Sequence, residues 1–320
     1  MKVLRRLRNL DWSRWLRAEP AQCPVCRRAF RPSALPLPVA LGQPRRELGA
    51  LCPDCADRIP WIHAPLCRVC GRPERCEDCR RRRETHFVIS RSAVRYDEMM
   101  REWLALYKYR GAERLEPVLA AMLAGALERM AAELGFSEPG MAFGMVTAVP
   151  LSNERLAERG FNQAESMARR LASWYGIPFA PLLRRIRHTE KMSFKSRSER
   201  LTDVRGIFAP DPVLAAVLVR RALSVAACAR RPSSAAGFGR NPPVDGNDRN
   251  LSVNGNDRNL AVNENDRNPP VNGNGTRPFR RILIVDDVYT TGSTMNEASR
   301  VLKCALGGGF ELFGLTWARS

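Results

Sequence analysis

The stretch ILIVDDVYTTGST (Ile282–Thr294) constrains this chain more than any other. Aliphatic residues read as a buried strand, Arg281–Val285. Two carboxylates, Asp286 and Asp287, follow it, and a Thr/Gly/Ser turn opens a helix expected over Met295–Ala305. A short aliphatic strand that hands over to a helix in this way belongs to a parallel sheet covered by helices. The same grammar appears upstream. MVTAV (Met145–Val149) reads as a strand, PLSNERLAERG as a turn, and residues 161–174 as a helix. His86–Tyr96 alternates as a strand, helices are expected over Asp97–Tyr107 and 115–134, and Phe310–Thr316 closes the set. The expected fold class is α/β, a parallel sheet with helices on both faces.

In such folds the carboxyl ends of the strands open onto the crevice where ligands bind. Thr290, Thr291, Gly292, Ser293 and Thr294 can turn backbone N–H and hydroxyl groups toward one phosphate at the positive end of the following helix. Gly292 lets the backbone come close. Two adjacent acids would repel that phosphate, so they should face something else, such as the vicinal hydroxyls of a sugar. A ribose 5-phosphate laid over the turn satisfies both halves. The plain alternative is an acidic strand end before an ordinary capped helix. The stretch resembles the phosphoribosyl-diphosphate (PRPP) signature of type I phosphoribosyltransferases. That resemblance implies that Asp286 and Asp287 hold the ribose hydroxyls and that residues 290–294 hold the 5-phosphate. No GK[ST] follows, so this is not a Walker loop.

Two more segments supply candidates. Arg155 and Arg159, in the loop after the 145–149 strand, carry guanidinium forks suited to diphosphate oxygens; two solvated arginines on a helix face are the alternative. Lys191–Phe208 is a polar stretch holding Lys191, Lys195, Arg197, Arg200 and Arg205. As a basic lid it could close on a diphosphate, with Lys195 steadying the leaving group, or it is an ordinary exposed loop. Lys108 and Arg110, in KYRG, are weaker candidates.

Eight of the ten cysteines form four CxxC pairs: Cys23/Cys26, Cys52/Cys55, Cys67/Cys70 and Cys76/Cys79. A CxxC turn aims both sulfurs at one tetrahedral ion, and two such turns close a structural zinc site. Four pairs therefore predict two zinc ions. Taken in order, Cys23, Cys26, Cys52 and Cys55 bind one and Cys67, Cys70, Cys76 and Cys79 the other, although spacing alone leaves the partition open. Disulfides would require export, and MKVLRRLRNLDW is not followed by the apolar run of a secretory signal. The longest apolar run, Pro117–Leu127, is too short to span a bilayer. A cytoplasmic chain without a membrane span is expected.

The chain holds 52 Lys and Arg against 33 Asp and Glu, a formal charge of +19. Anionic partners follow from such a balance, phosphates and nucleic acid among them. Residues 1–20 read as an Arg-rich amphipathic helix and 21–85 as the cysteine module. Residues 86–209 with 280–320 form the α/β domain, and 210–279 an insertion between core elements. NDRN recurs at Asn247, Asn256 and Asn265, a period of nine, and residues 241–275 carry few large apolar side chains, so 210–279 is expected to be a disordered low-complexity insertion. Leu214–Ala229, ahead of the repeat, could be an isolated helix.

Taken in order, the cysteine pairs, KYRG, VPL…RGFNQ, the basic stretch and VDDVYTTGST resemble the ComF family of competence-associated, phosphoribosyltransferase-like proteins. The likeness covers residues 20–209 and 280–318. It implies a type I phosphoribosyltransferase-like sheet preceded by a double zinc ribbon, Mg²⁺ bound with PRPP, and an accessory role in DNA uptake beside a helicase-like partner. The residues themselves leave three functions open. One is transfer from Mg–PRPP, with Asp286 and Asp287 orienting the ribose as catalytic residues and Lys195, beside Arg155 and Arg159, steadying the departing diphosphate. Another is binding of single-stranded DNA by the basic zinc module, with Phe30, Trp61 or Phe87 for stacking. The third is a partner-docking role without a ligand.

Overall fold

The computed structural model describes residues 20–32, 36–40, 42–109, 113–187, 204–229 and 280–320. The cysteine module contains a small antiparallel pair, β1 (Ala21–Gln22) and β2 (Ala29–Phe30), and three short helices, α1 (Gly42–Leu48), α2 (Pro53–Asp57) and α3 (Glu77–Arg81). The elements β3 (Ser90–Arg95), α4 (Glu98–Tyr109), α5 (Glu116–Glu133), α6 (Pro139–Ala142), β4 (Met145–Ala148), α7 (Asn153–Arg159) and α8 (Gln163–Tyr175) follow. A second pair, β5 (Leu183–Arg185) and β6 (Phe208–Pro210), precedes α9 (Pro212–Ala229). The chain closes on β7 (Arg281–Tyr289), α10 (Ser293–Leu306) and β8 (Glu311–Arg319).

The central sheet has the order β3-β8-β7-β4, and all three pairings are parallel. The α/β class expected from the sequence is the one formed. Alternation along β7 divides the core: Leu283 and Val285 join a cluster with α5 and α8, while Ile282 and Ile284 join one with Met295, Ala298 and Leu302 of α10. The long apolar run in α5 is explained by burial on several sides, against β3 and β8, α8 and α1. Gly125 marks how close the cysteine module comes, because a Cβ there would lie 2.9 Å from the Pro38 carbonyl. The module thus shares the sheet's core. Leu48, Leu51 and Ile59 belong to the α5 cluster, and Cys70, Cys76 and Phe87 to the α10 cluster.

Several elements depart from the sequence expectation. β7 runs four residues beyond Val285, so Asp286 and Asp287 lie within the strand. The neighbouring β8 continues to Arg319 and pairs with it through Tyr289. The segment read as a turn after β4 contains α7, capped by Ser152 Oγ accepting from Arg155 N–H (3.4 Å) and ended by Gly160 at φ 78°. Pro212–Ala229, at the head of the expected insertion, is helical. Asp211 Oδ1 accepts from the N–H groups of Val213 and Leu214, Pro212 starts the helix, and α9 packs on α10. It is therefore not isolated. The N-terminal helix expected over residues 1–20 and the NDRN repeat lie outside the described residues. Among the described residues no helix is long and apolar enough to cross a membrane.

Candidate functional site

Parallel strands β7, β8 and β3 bring their carboxyl ends to one edge of the sheet, and there the acid pair stands. Burial pushes the Asp287 carboxyl up, but the ammonium of Lys108, ion-paired to it from α4, holds it below the ordinary carboxylate range. Lys108, a weaker candidate from sequence, is thus the direct partner of the acid pair. Asp286 differs. Its Oδ1 accepts from Asp287 N–H at 2.9 Å. Burial, and then the charge of Asp287, push it up to about 8. Near neutral pH the pair therefore carries about one negative charge. That lessens repulsion of a nearby phosphate and gives Asp286 a hydroxyl to donate.

Behind the acids the chain turns at Thr290–Gly292. Gly292 has φ 77° and provides the N-cap of α10 without a side-chain cap bond, and the first turn of α10 contains no acid. The positive end of a 14-residue helix is thus left without an internal counter-charge. The hydroxyl groups divide into two sets. Thr291 and Ser293 are buried, with their oxygens 2.7 Å apart, while Thr290 and Thr294 are half-exposed.

Of the arginines expected at the diphosphate, Arg159 donates to Tyr109 Oη (2.9 Å) and Gln163 Oε1 (3.1 Å), and its charge favours ionised Asp287. Arg155 sits in the first turn of α7, near enough to Arg185 of β5 for the two charges to repel. Arg185 in turn favours ionised Asp286. Lys108, Arg159 and Arg185 therefore set positive charge around the acid pair, with Arg155 beside Arg185. Lys195 and Arg110 lie outside the described residues. Two cavities flank the site. One of about 330 Å³ lies between α7 and α8 beside Leu151, Leu156 and Phe161. The other, about 230 Å³, lies at the ends of β3 and β8 beside Arg72, Tyr96 and Arg319. Neither is lined by Asp286 or Asp287.

The eight cysteines gather in the sequential partition, Cys23, Cys26, Cys52 and Cys55 in one cluster and Cys67, Cys70, Cys76 and Cys79 in the other, with each set of sulfurs within 4.8 Å. Cys26 and Cys52 sulfurs are 3.7 Å apart, and those of Cys70 and Cys76 3.5 Å. Tetrahedral zinc with Zn–S bonds of about 2.3 Å needs sulfurs about 3.8 Å apart, so both clusters fit closed structural sites. A hydrogen bond from Cys79, and then the charge of Arg319, hold the Cys70 thiol down to about 4. The aromatic residues expected to stack bases are engaged elsewhere. Phe87 is buried with Arg82 over its ring, and Trp61 and Phe30 pack on the core.

Two residues at the turn had no signal in the sequence. Arg82, one of four consecutive arginines (Arg80–Arg83), donates to the Thr291 carbonyl at 2.5 Å. Arg319 donates to the carbonyls of Tyr289 (2.9 Å) and Thr290 (2.5 Å). Neither lies near the turn in sequence, so no local spacing could announce them.

No family model matches the chain. Two curated proteins do, both named competence protein ComFC. The one from Bacillus subtilis (strain 168) is 29% identical over 160 residues, 47% of this chain and 61% of that protein. The one from Streptococcus pneumoniae (strain ATCC BAA-255 / R6) is 30% identical over 161 residues, 49% of this chain and 66% of that protein. The match thus spans slightly under two thirds of either relative. Together with the order of motifs along the chain, these two likenesses support assignment to the ComF family.

Proposed function

We propose that this chain binds Mg–PRPP or a related ribose 5-phosphate at the β7–α10 turn and serves as a cytoplasmic accessory factor in DNA uptake. The observation that carries the ligand reading is the uncapped, acid-free start of α10 directly behind the Asp286–Asp287 pair, with Lys108 ion-paired to Asp287. A phosphate supplies the counter-charge that the helix lacks. Sugar hydroxyls suit the acids, since protonated Asp286 can donate and ionised Asp287 accepts. Thr290–Thr294 hold the phosphate, while Arg155 and Arg159, with Lys195, meet the diphosphate. Mg²⁺ would be held mainly by ligand oxygens and water, and it supplies neutralising charge on the diphosphate. The competence role rests on the two relatives, both named competence protein ComFC.

Isothermal titration of the zinc-loaded full chain with Mg–PRPP tests the reading. Binding should occur, and Asp286→Asn/Asp287→Asn should weaken it by about a hundredfold, one charge-assisted and one neutral hydrogen bond being altered or lost. No heat at millimolar ligand from folded protein would overturn it. The alternative, a nucleic-acid or partner interface on the zinc module, is favoured by exposed Arg75, Arg80, Arg81 and Arg83. Because the module shares the sheet's core, that reading must be tested on the full chain. Phosphate-led binding of single-stranded DNA should fall steeply with salt.

A further inference from the structure

We infer that Arg82 and Arg319 are positioning residues that tie the second cysteine cluster to the β7–α10 turn, so that zinc at Cys67, Cys70, Cys76 and Cys79 sets the order of that turn. Three successive carbonyls are taken by two guanidinium groups: Tyr289 and Thr290 by Arg319, Thr291 by Arg82. A trans peptide points its C=O and the next N–H in opposite directions. Holding the carbonyls of 289, 290 and 291 on one side therefore sends the N–H groups of 290, 291 and 292 to the other. That is the arrangement an anion needs.

The far ends of both guanidinium groups meet the cluster. Arg319 Nη2 lies 3.8 Å from Cys70 Sγ and 3.7 Å from Asp78 Oδ2. Arg82 Nη1 lies 4.0 Å from Cys79 Sγ and 3.4 Å from Tyr289 Oη. Four thiolates on one Zn²⁺ leave a net double negative charge, a fixed anchor for two cations. Tyr289 completes the arrangement, since Arg319 lies over its ring (4.6 Å) and its hydroxyl end occupies the space that a Gly292 side chain would need. As a route to ligand affinity the inference rests on the reading above. As a statement about the turn it needs no ligand.

Amide hydrogen exchange on the zinc-loaded full chain separates the two. Arg82→Gln should raise exchange over residues 290–296 about tenfold, the scale of one lost charge-assisted bond. Zinc content should stay at two ions and exchange over Ile282–Val285 should not change. Arg82→Lys should restore part of the protection. Cys79→Ser, which removes the second ion, should reproduce the effect, and Cys26→Ser, at the first, should not. Unchanged exchange at the turn in folded Arg82→Gln and Cys79→Ser would overturn the inference. So would an equal rise in Cys26→Ser, which would mark a general loosening. If Arg82→Gln does not fold, Arg82→Lys against wild type decides. Failure of Mg–PRPP binding with these exchange results intact would count against the ligand reading alone.

Discussion

The two cysteine clusters are built from the same motif and sit in opposite company. The first, Cys23, Cys26, Cys52 and Cys55, packs into the apolar cluster around α5, and the nearby ion pair, Arg28 with Asp54, is exposed. The second, Cys67, Cys70, Cys76 and Cys79, is flanked by Arg82, Arg319 and Asp78, and the two arginines reach the β7–α10 turn. A zinc ligand set therefore specifies an ion but not its task. At one end of the module the ion would fasten a loop onto a hydrophobic wall. At the other it would balance the charge behind a candidate ligand turn.

On that difference, the largest effects belong to the second end. Gly292→Ala should be the most damaging of three substitutions. Its φ of 77° disfavours any side chain, and a Cβ would stand 2.0 Å from Tyr289 Oη. The ring would have to leave Arg82 and Arg319. We expect a loss of about 3 kcal/mol in denaturant unfolding, together with loss of Mg–PRPP binding. A variant of wild-type stability and affinity would show that the turn tolerates movement, and the contrast between the ends would fall.

Asp286→Asn comes next, and here the sign is opposite. An acid raised to about 8 in the folded protein, against about 3.9 unfolded, holds a proton that the unfolded chain has released. Between those values stability falls as pH rises, and the full penalty is present above the folded value. Removing the carboxyl should make the ligand-free protein melt about 3 °C higher at pH 8, with little change at pH 4, while Mg–PRPP affinity drops. Lower stability at pH 8 would mean that Asp286 is ionised and well paired. Asp287, held low by Lys108, behaves in the ordinary way: its contribution is present above the unfolded value and is lost as pH falls through the folded one.

Local pattern made most of this legible. The aliphatic run of β7, the acid pair, the Thr/Gly/Ser turn and the CxxC turns are each set by neighbours within about ten residues, and sequence displays such neighbours directly. The length of β7 was not legible, because it depends on β8 continuing alongside to Arg319. Helix α7 was hidden by its shortness, although Ser152 and Gly160 are proper end signals. Lys108 stood out only weakly, since its partner Asp287 is far away in sequence. Arg82 stands among four consecutive arginines, yet it is half-buried and directed at Thr291. Residues whose role depends on long-range docking carry no mark in composition or period.

The smallest effect should come from the first end. The Arg28 and Asp54 side chains are 77% and 80% exposed and their charged atoms are 3.8 Å apart. Water screens such a pair, and it contributes about 0.5 kcal/mol or less. Arg28→Ala should therefore leave the unfolding midpoint, zinc content and Mg–PRPP affinity close to wild type. Its value lies in the comparison with Arg82→Gln, also an arginine beside a cysteine cluster, differing in burial and in what the guanidinium touches. If both substitutions were silent, the second cluster would be as inert toward the turn as the first. If Arg28→Ala disturbed the turn as much as Arg82→Gln, proximity of charge to any cluster would suffice, and the directed bonds to residues 289–291 would not be the cause.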